Sequence, residues 1–356
     1  MIANGAEGEP GSIKDRFVMR TRPRAVLEGL LLAARAVGAR EAVLYLKGSF
    51  CGPAAALEAA MPGLADPGVA VAVRRGEDGY VAGEETAVLE TLEGRRAWPR
   101  AKPPHPSGVG FRGRPTLVQN VETLARVPAA LADPVGFRKH EATLVSLWGH
   151  VRRPGVYEVP LGTPLWRLVE EQGLGALDGV GMVFPAGPSA PPLCAAQLDT
   201  ALDPGALRAA GSALGTAAVL VIGRDVCPVS VGASLARFFE REACGQCPPC
   251  SLGTATLSRI AGGLQSGSSR AGDLDDAAAV AGFMAGHGYC AHSRTAAHAL
   301  TGLLRTFGDH VAAHLGTGAC PGGRAADPFG EGSPERSGIE AALEEAVVAE
   351  VAGSRP

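Results

Sequence analysis

Three cysteines, Cys244, Cys247 and Cys250, stand in the run Ala-Cys-Gly-Gln-Cys-Pro-Pro-Cys, and a fourth, Cys290, follows far downstream. The spacing Cys-x2-Cys-x2-Cys puts three thiolates on one tight loop. Three sulfurs at that pitch can grip three corners of a cubane iron–sulfur cluster, whose fourth corner needs one remote cysteine. Pro248 and Pro249 stiffen the loop and remove two backbone donors that would otherwise need partners. Zinc also accepts four thiolates, although its structural sites usually arrive as two separated pairs. Buried thiols without a ligand are a further reading, as is a disulfide, which is rare in the reducing compartment expected of a chain without an export signal. Cys51, Cys194, Cys227 and Cys320 are scattered and read as core or incidental residues, with Cys320, beside Pro321, kept as a spare ligand.

Three polar segments have a second kind of chemistry. They are Asn4-Gly-Ala-Glu-Gly-Glu-Pro-Gly11, followed by Lys14-Asp15-Arg16; Tyr80-Val-Ala-Gly-Glu84-Glu85-Thr86, running into Leu92-Glu-Gly-Arg-Arg96; and Pro115-Thr-Leu-Val-Gln119-Asn120-Val121-Glu122-Thr123. Each follows an apolar strand and precedes a helix, which is where α/β sheets bind ligands. Glu84 and Glu85 could accept hydrogen bonds from sugar hydroxyls or a carboxamide. Asn120 and Thr123 could hold a phosphate or a flavin side chain at a helix N-terminus. The plainer reading of Glu84 and Glu85 is that they cap a helix against its dipole. Arg95, Arg96, Arg100 and Lys102 read equally as a solvated basic face, a phosphate clamp or a contact with another chain.

The elements that must position these residues follow from pattern. The 356 residues suffice for two or three cores, and a formal net charge of -3 gives nucleic-acid binding no support. No stretch reaches the eighteen or so uncharged apolar residues of a membrane helix, and nothing at the N-terminus resembles an export signal, so a cytoplasmic location is expected, with attachment to the inner face of a membrane only through partner subunits. Residues 24–38 carry the helical spacing of Val26, Leu27, Leu30, Leu31 and Val37. Ala42–Lys47 and Gly68–Val73 read as strands. A strand at Thr143–Trp148, a turn at Arg153-Pro154-Gly155, a strand at Val156–Val159 and a helix capped by Thr163 with Pro164 at its first position suggest a small β-grasp-like unit, completed by strands near 180–184 and 217–222. From Ser230 the pattern is helical, over 254–264, 273–285 and 294–314. Residues 321–338 read as a linker, and 339–351 as an acidic helix with Ile339, Leu343, Val347 and Val351 on one side, taken as a solvated tail.

Taken together and in this order, Asn-Gly-Ala-Glu-Gly-Glu-Pro-Gly, Gly-Glu-Glu-Thr-Ala, Leu-Glu-Gly-Arg-Arg-Ala-x-Pro-Arg-x-Lys-Pro-Pro, Asn-Val-Glu-Thr and Cys-Gly-x-Cys-x-Pro-Cys resemble the NADH-binding flavoprotein (the F subunit) of NADH:quinone oxidoreductase, complex I, and its relatives in NAD-reducing hydrogenases and formate dehydrogenases. The resemblance covers almost all of residues 1–318. It implies a fold of α/β, β-grasp and all-α parts: an FMN- and NADH-binding α/β domain at 1–135, a soluble-ligand-binding β-grasp domain at 141–224, and a helical iron–sulfur domain at 228–318, followed by the linker and tail at 321–356. It implies NADH:quinone or NADH:acceptor oxidoreduction, with NADH giving a hydride to FMN and electrons passing singly to a [4Fe–4S] cluster. It assigns Cys244, Cys247, Cys250 and Cys290 to the cluster, and Asn4, Asn120 and Thr123 to the flavin. Glu7 falls near the adenine ribose of NADH, and Gly83, Glu84 and Glu85 beside the flavin ring and nicotinamide, with Glu84 and Glu85 at the reacting centre. The implied partners are other electron-transfer subunits or a ferredoxin-like protein.

Three departures from the family pattern bear on this. The family's glycine-rich loop, which cradles the FMN phosphate and the dinucleotide, has no counterpart in the sequence. Met1-Ile2-Ala3 resembles the end of a strand, so a misassigned start is expected, with FMN and NADH binding in the complete protein and weakened binding in this chain. Ala6 stands where the family has Asp, and Gln119 where it has Asn. The alternative function is a flavin-free [4Fe–4S] relay for a ferredoxin-like partner.

Overall fold

The computed structural model describes residues 1–64, 68–315 and 320–353. The chain divides into two compact units. One comprises Met1–Gly8, Ile13–Glu141 and the C-terminal residues from Leu343; the other comprises Glu9–Ser12 and Ala142–Ala342.

The first unit is built on β1 (Ile2–Asn4), α1 (Lys14–Thr21), α2 (Pro23–Ala36), β2 (Glu41–Lys47), α3 (Cys51–Ala60), β3 (Ala70–Gly76), α4 (Glu85–Leu92), β4 (Val118–Asn120), α5 (Val121–Ala132) and α6 (Pro134–Lys139). The four strands form one parallel sheet in the order β3-β2-β1-β4. Short β1 is an inner strand: Ile2 and Ala3 are buried and align with Val43 and Leu44 on one side and with Val118 and Gln119 on the other. The near-continuous apolar run of β2 suits a parallel strand covered on both faces. Helices α2 and α5 pack so closely that a Cβ on Gly29 would lie 1.8 Å from the Leu124 carbonyl oxygen. Only a residue without a side chain permits that approach.

The second unit starts with β5 (Ala142–Gly149), β6 (Gly155–Pro160), the short α7 (Leu165–Arg167), β7 (Val180–Pro188), β8 (Leu193–Cys194), α8 (Pro204–Ala209) and β9 (Ala218–Gly223). The sheet order is β6-β5-β9-β7-β8. The β5–β6 pair is an antiparallel hairpin, β9 runs parallel to β5, and β7 runs antiparallel to β9. All six residues of β9 are buried, as its central place requires. One face packs Val145, Leu147, Leu165, Leu168, Val219 and Val221 into a core. Thr163 does not cap α7: its hydroxyl donates back to the Pro160 carbonyl, 2.7 Å away, and Pro164 takes the cap position.

The helical part follows as α9 (Pro228–Arg241), α10 (Pro248–Ser266), α11 (Asp273–His287), α12 (Ala291–Thr306) and α13 (Gly308–His314). The helix expected over 294–314 is thus two, broken at Phe307. A last helix, α14, spans Pro334–Gly353.

The segment expected to be a linker is packed. Phe329 is fully buried, 5.5 Å from Phe184 and 6.4 Å from Trp148 and Phe238, measured between ring centres. An aromatic residue among glycines and prolines makes that segment part of a core. The helix read as a solvated tail also buries Ile339, Leu343 and Val347, while the side chain of Val351 lies outside the described residues. Glu344 pairs with Arg20 at 2.5 Å. The helical spacing was legible, but periodicity alone does not tell a packed stripe from an exposed one.

Replacing Gly29 with alanine drives a methyl group into a backbone carbonyl, an overpacking cost of about 1–3 kcal/mol. The expected outcome is a drop of several degrees in the thermal midpoint; an unchanged midpoint would show that α2 and α5 separate freely.

Candidate functional site

The cysteine loop joins α9 to α10. Gly245 takes a left-handed φ of 83°, which lets the chain turn between the first two cysteines. Cys247 is the cap residue of α10, with Pro248 and Pro249 at the next two positions, and Cys290 is the cap residue of α12. Helix N-termini favour thiolate over thiol. Cys250 lies one turn into α10. Its thiol is pushed up to about 12, by burial first and then by Cys247, Cys290 and Cys244. The other three sulfurs are thus near enough to act on its charge. Cys247 and Cys250 are buried, and Cys244 and Cys290 are partly so.

The packing behind these sulfurs is tight. A Cβ on Gly253 would meet Met284 Sδ at 2.4 Å, which fixes α10 against α11. Ser293 Oγ donates to the Met284 carbonyl at 2.9 Å, and His292 Nε2 bonds the Phe239 carbonyl at 2.9 Å, tying the start of α12 to α11 and α9. The donor set is all sulfur. A single tetrahedral zinc would draw its sulfurs to roughly 3.8 Å from one another. Four sulfur donors of this spacing in the sequence suit an iron–sulfur cluster.

The three polar segments converge at the carboxyl ends of β1 and β4. Asn4 and Asn120 are aligned partners on these adjacent strands. Asn4 Nδ2 donates to the Gly83 carbonyl at 2.8 Å, and its Oδ1 accepts from the Ala6 amide at 3.1 Å. Gly83 is needed for that approach, since a Cβ there would lie 2.5 Å from the Ala6 carbonyl oxygen. Asn120 caps α5 by accepting from the Glu122 amide at 2.8 Å, and its Nδ2 donates to Asp15 at 2.7 Å. Thr123 is exposed on the first turn of α5.

Glu84 caps α4, accepting from the Thr86 and Ala87 amides and from the Thr86 hydroxyl. Lys102 Nζ lies 2.6 Å from Glu84 and 2.5 Å from Glu85. Burial opposes the charge on Lys102, but the two carboxylates outweigh it and raise its pKa. The capping reading therefore holds for Glu84, and Glu85 serves the lysine.

Glu7 turns inward. Its carboxylate, about 3 % exposed, accepts from the Asp15 and Arg16 amides at the start of α1 and from Arg16 Nε at 3.2 Å. An acid just ahead of α1 can fold back in this way onto its free amides.

Sequence reasoning left Lys14, Asp15 and Glu122 without a role. Lys14 is buried, 2.6 Å from Asp15 and 2.9 Å from Glu122. Burial pushes the Asp15 carboxyl up to about 6, against the pull of Lys14. The signal was a lysine and an aspartate in adjacent positions at a helix start, but nothing local says they are buried.

The arginines are engaged within the protein. Arg95 and Arg100 both engage Glu90 and Glu93, and the Arg112 amide adds a 2.7 Å bond to Glu93. Arg96 lies over the Trp98 ring. An open groove of about 840 Å³, lined by Arg40, Arg112 and Arg114 among others, lies by Met1 and Ile2, at the opposite ends of the strands from the asparagines.

The amides and carboxylates gathered around Asn4, Gly83 and Asn120 suit the polar edge of a flavin ring or a carboxamide. They supply little for a phosphate, since Lys14 and Lys102 each face two carboxylates. Among the described residues, no helix is long and apolar enough to cross a membrane.

Comparison with known proteins follows the same division. Residues 1–129 match the family model of the Nuo51 FMN-binding domain, and residues 230–314 that of the NADH-ubiquinone oxidoreductase-F iron–sulfur binding region. The F 2 subunit of NADH-quinone oxidoreductase from Rhizobium meliloti (strain 1021) is 36% identical over 342 residues, covering 90% of this chain and 81% of the relative. The F subunit of the same oxidoreductase from Rickettsia bellii (strain OSU 85-389) is 33% identical, covering 88% and 81%. Two crystal structures of NAD+-reducing [NiFe]-hydrogenase are similar. The H2-reduced state has a TM-score of 0.82 at 32% identity over 88% of this chain, and the air-oxidized state 0.82 at 31% over 100%. The chain spans 56% and 60% of those hydrogenase chains. The hydrogenase likeness extends to the mixed α/β fold with its parallel sheet and helical C-terminal region.

The Glu90 cluster yields a pH prediction. Arg95, then Arg100, hold the Glu90 carboxyl down to about 2 from its ordinary 4.5. A depressed carboxyl stabilises the fold above its unfolded value, and that contribution fades as pH falls from about 4.5 toward 2. The thermal midpoint of Glu90→Gln should lie below that of the unaltered chain at pH 7, and the gap should narrow below about pH 4.5. A gap that stays constant down to about pH 3 would contradict the pairing.

Proposed function

The chain belongs to the F-subunit family of NADH-quinone oxidoreductase, and we propose that it passes electrons from NADH by way of FMN to a [4Fe–4S] cluster held by Cys244, Cys247, Cys250 and Cys290. The observation that carries this reading is the match of residues 230–314 to the NADH-ubiquinone oxidoreductase-F iron–sulfur binding region, with four thiols near one another and two of them at helix N-termini. When bound, FMN supplies a two-electron acceptor for hydride and the cluster a one-electron acceptor; the protein supplies position and electrostatics.

The chain's own residues have distinct tasks in this reading. Asn4 and Asn120, side by side at the sheet edge, hold the flavin ring through their amides, and Thr123 reaches it from the first turn of α5. Gly83 lets the ring approach the backbone. Glu84 and Glu85 receive the nicotinamide carboxamide and ribose hydroxyls, with Lys102 bridging both carboxylates. Glu7 adds a fixed negative charge at this edge, which disfavours a second phosphate on the dinucleotide. The five-stranded sheet with α7 and α8 is read as a β-grasp domain of the soluble-ligand-binding type, because its hairpin leads into a helix and its last strand returns parallel to the first. The partners are further electron-transfer subunits, or a ferredoxin-like protein, in the cytoplasm.

A flavin-free relay is the second reading. It is favoured by the way Lys14 and Lys102 are each neutralised by paired carboxylates, leaving that edge poorly suited to a flavin phosphate.

Anaerobic titration of the full chain with NADH, after incubation with FMN, separates the two. The first reading expects NADH to bleach flavin absorbance and to produce the EPR signal of a reduced cluster. Asn120→Ala should weaken flavin retention at least tenfold, and Cys250→Ser should abolish the EPR signal while leaving the bleaching. If dithionite reduces the cluster but NADH with FMN does not, the relay reading stands and the dehydrogenase reading fails.

A further inference from the structure

We infer that Cys227, His310, His314 and Cys320 form a second metal site, mononuclear and closed, suited to Zn2+. Sequence alone left Cys227 as incidental and Cys320 as a spare ligand, because the two histidines stand 83 and 87 positions from Cys227, and Cys320 stands 10 positions from His310. The fold brings all four together.

The geometry is that of four donors around one ion. Cys227 Sγ lies 3.5 Å from His310 Nε2 and 3.4 Å from His314 Nε2, and Cys320 Sγ lies 3.4 Å from His310 Nε2. One donor atom from each of the four residues lies within 4.8 Å of every other. A tetrahedral zinc with ordinary Zn–S and Zn–N bonds sets sulfur and nitrogen roughly 3.5 Å apart. A binuclear iron–sulfur centre would spread its cysteines and histidines over two metals and further apart.

The surroundings aim these donors. His310 and His314 sit one turn apart on α13, with their ring centres 5.4 Å apart. His314 Nδ1 bonds the Leu264 carbonyl at 3.3 Å, which places its proton on Nδ1 and frees Nε2 to ligate. Cys227 is the cap residue of α9, and the amides of Val229 and Ser230 face its sulfur. Cys320 is brought in by chain pairing: the Cys227 amide donates to the Arg324 carbonyl at 2.9 Å, and the Arg324 amide to the Asp225 carbonyl at 2.7 Å. Cys227 and His314 are buried, while His310 and Cys320 are partly open, which leaves an entry path.

Binding displaces the two thiol protons. The resulting unit of one Zn2+, two thiolates and two neutral imidazoles carries no net charge, so it can be buried without a counterion. With four protein ligands there is no open position for a substrate, and the role is structural. The ion pins the start of α9, the end of the helical region and the chain leading to Phe329 into one corner.

The test is metal analysis of the full chain purified anaerobically and supplied with iron and zinc. About one zinc per chain is expected beside the iron. Cys320→Ser and His310→Ala should each lose the zinc at least tenfold while keeping the iron, which also shows that they fold. Cys247→Ser should lose the iron and keep the zinc. Cobalt in place of zinc should give the visible spectrum of a tetrahedral site with thiolate charge transfer, absent in Cys320→Ser. Zinc that follows Cys247 rather than Cys320, or its absence with a Cys227–Cys320 disulfide in its place, would overturn the proposal.

Discussion

The rest of the structure depends on sulfur held where burial opposes its charge. Cys250 and Cys247 lie almost out of reach of water, and burial first, then the neighbouring sulfurs, pushes the Cys250 thiol up to about 12. A buried, clustered set of thiols is a poor arrangement for a hydrophobic core and a good one for a multivalent cationic centre, whose charge offsets both costs. The helical part is arranged around that need. Two of the cysteines begin helices, and Gly253, Ser293 and His292 tie α10 to α11 and α12 to α11 and α9.

The sheet edge follows a different principle. Its polar residues satisfy one another: Asn4 with Gly83 and Ala6, Asn120 with Glu122 and Asp15, Glu84 with α4 and Lys102. The motifs at this edge are thus also the caps and ties that keep the loops in place. A change at Glu84 would disturb the start of α4 as well as any ligand contact, so binding and folding are not separable there by a single substitution.

What was legible in the sequence was what local spacing encodes. Cys-x2-Cys-x2-Cys announces itself, and so do the strand–loop–helix junctions around Asn4 and Asn120. The stripe Ile339, Leu343 and Val347 was visible too, but whether it packs depends on residues far along the chain. The Cys227, His310, His314 and Cys320 group was not legible as a group for the same reason: the packing of α13 on α9 and the pairing of residues 225–227 with Arg324 bring its distant members together. Glu7 shows the converse. The resemblance, not its local pattern, placed it near the dinucleotide, and its bonds to the amides opening α1 come from the fold.

The most direct measurement is iron and acid-labile sulfide per chain, together with the low-temperature EPR spectrum of the dithionite-reduced full chain. The account predicts about four of each and a signal from a reduced [4Fe–4S] centre, both lost in Cys290→Ser. A colourless, EPR-silent chain with zinc bound through Cys244, Cys247, Cys250 and Cys290 would contradict it.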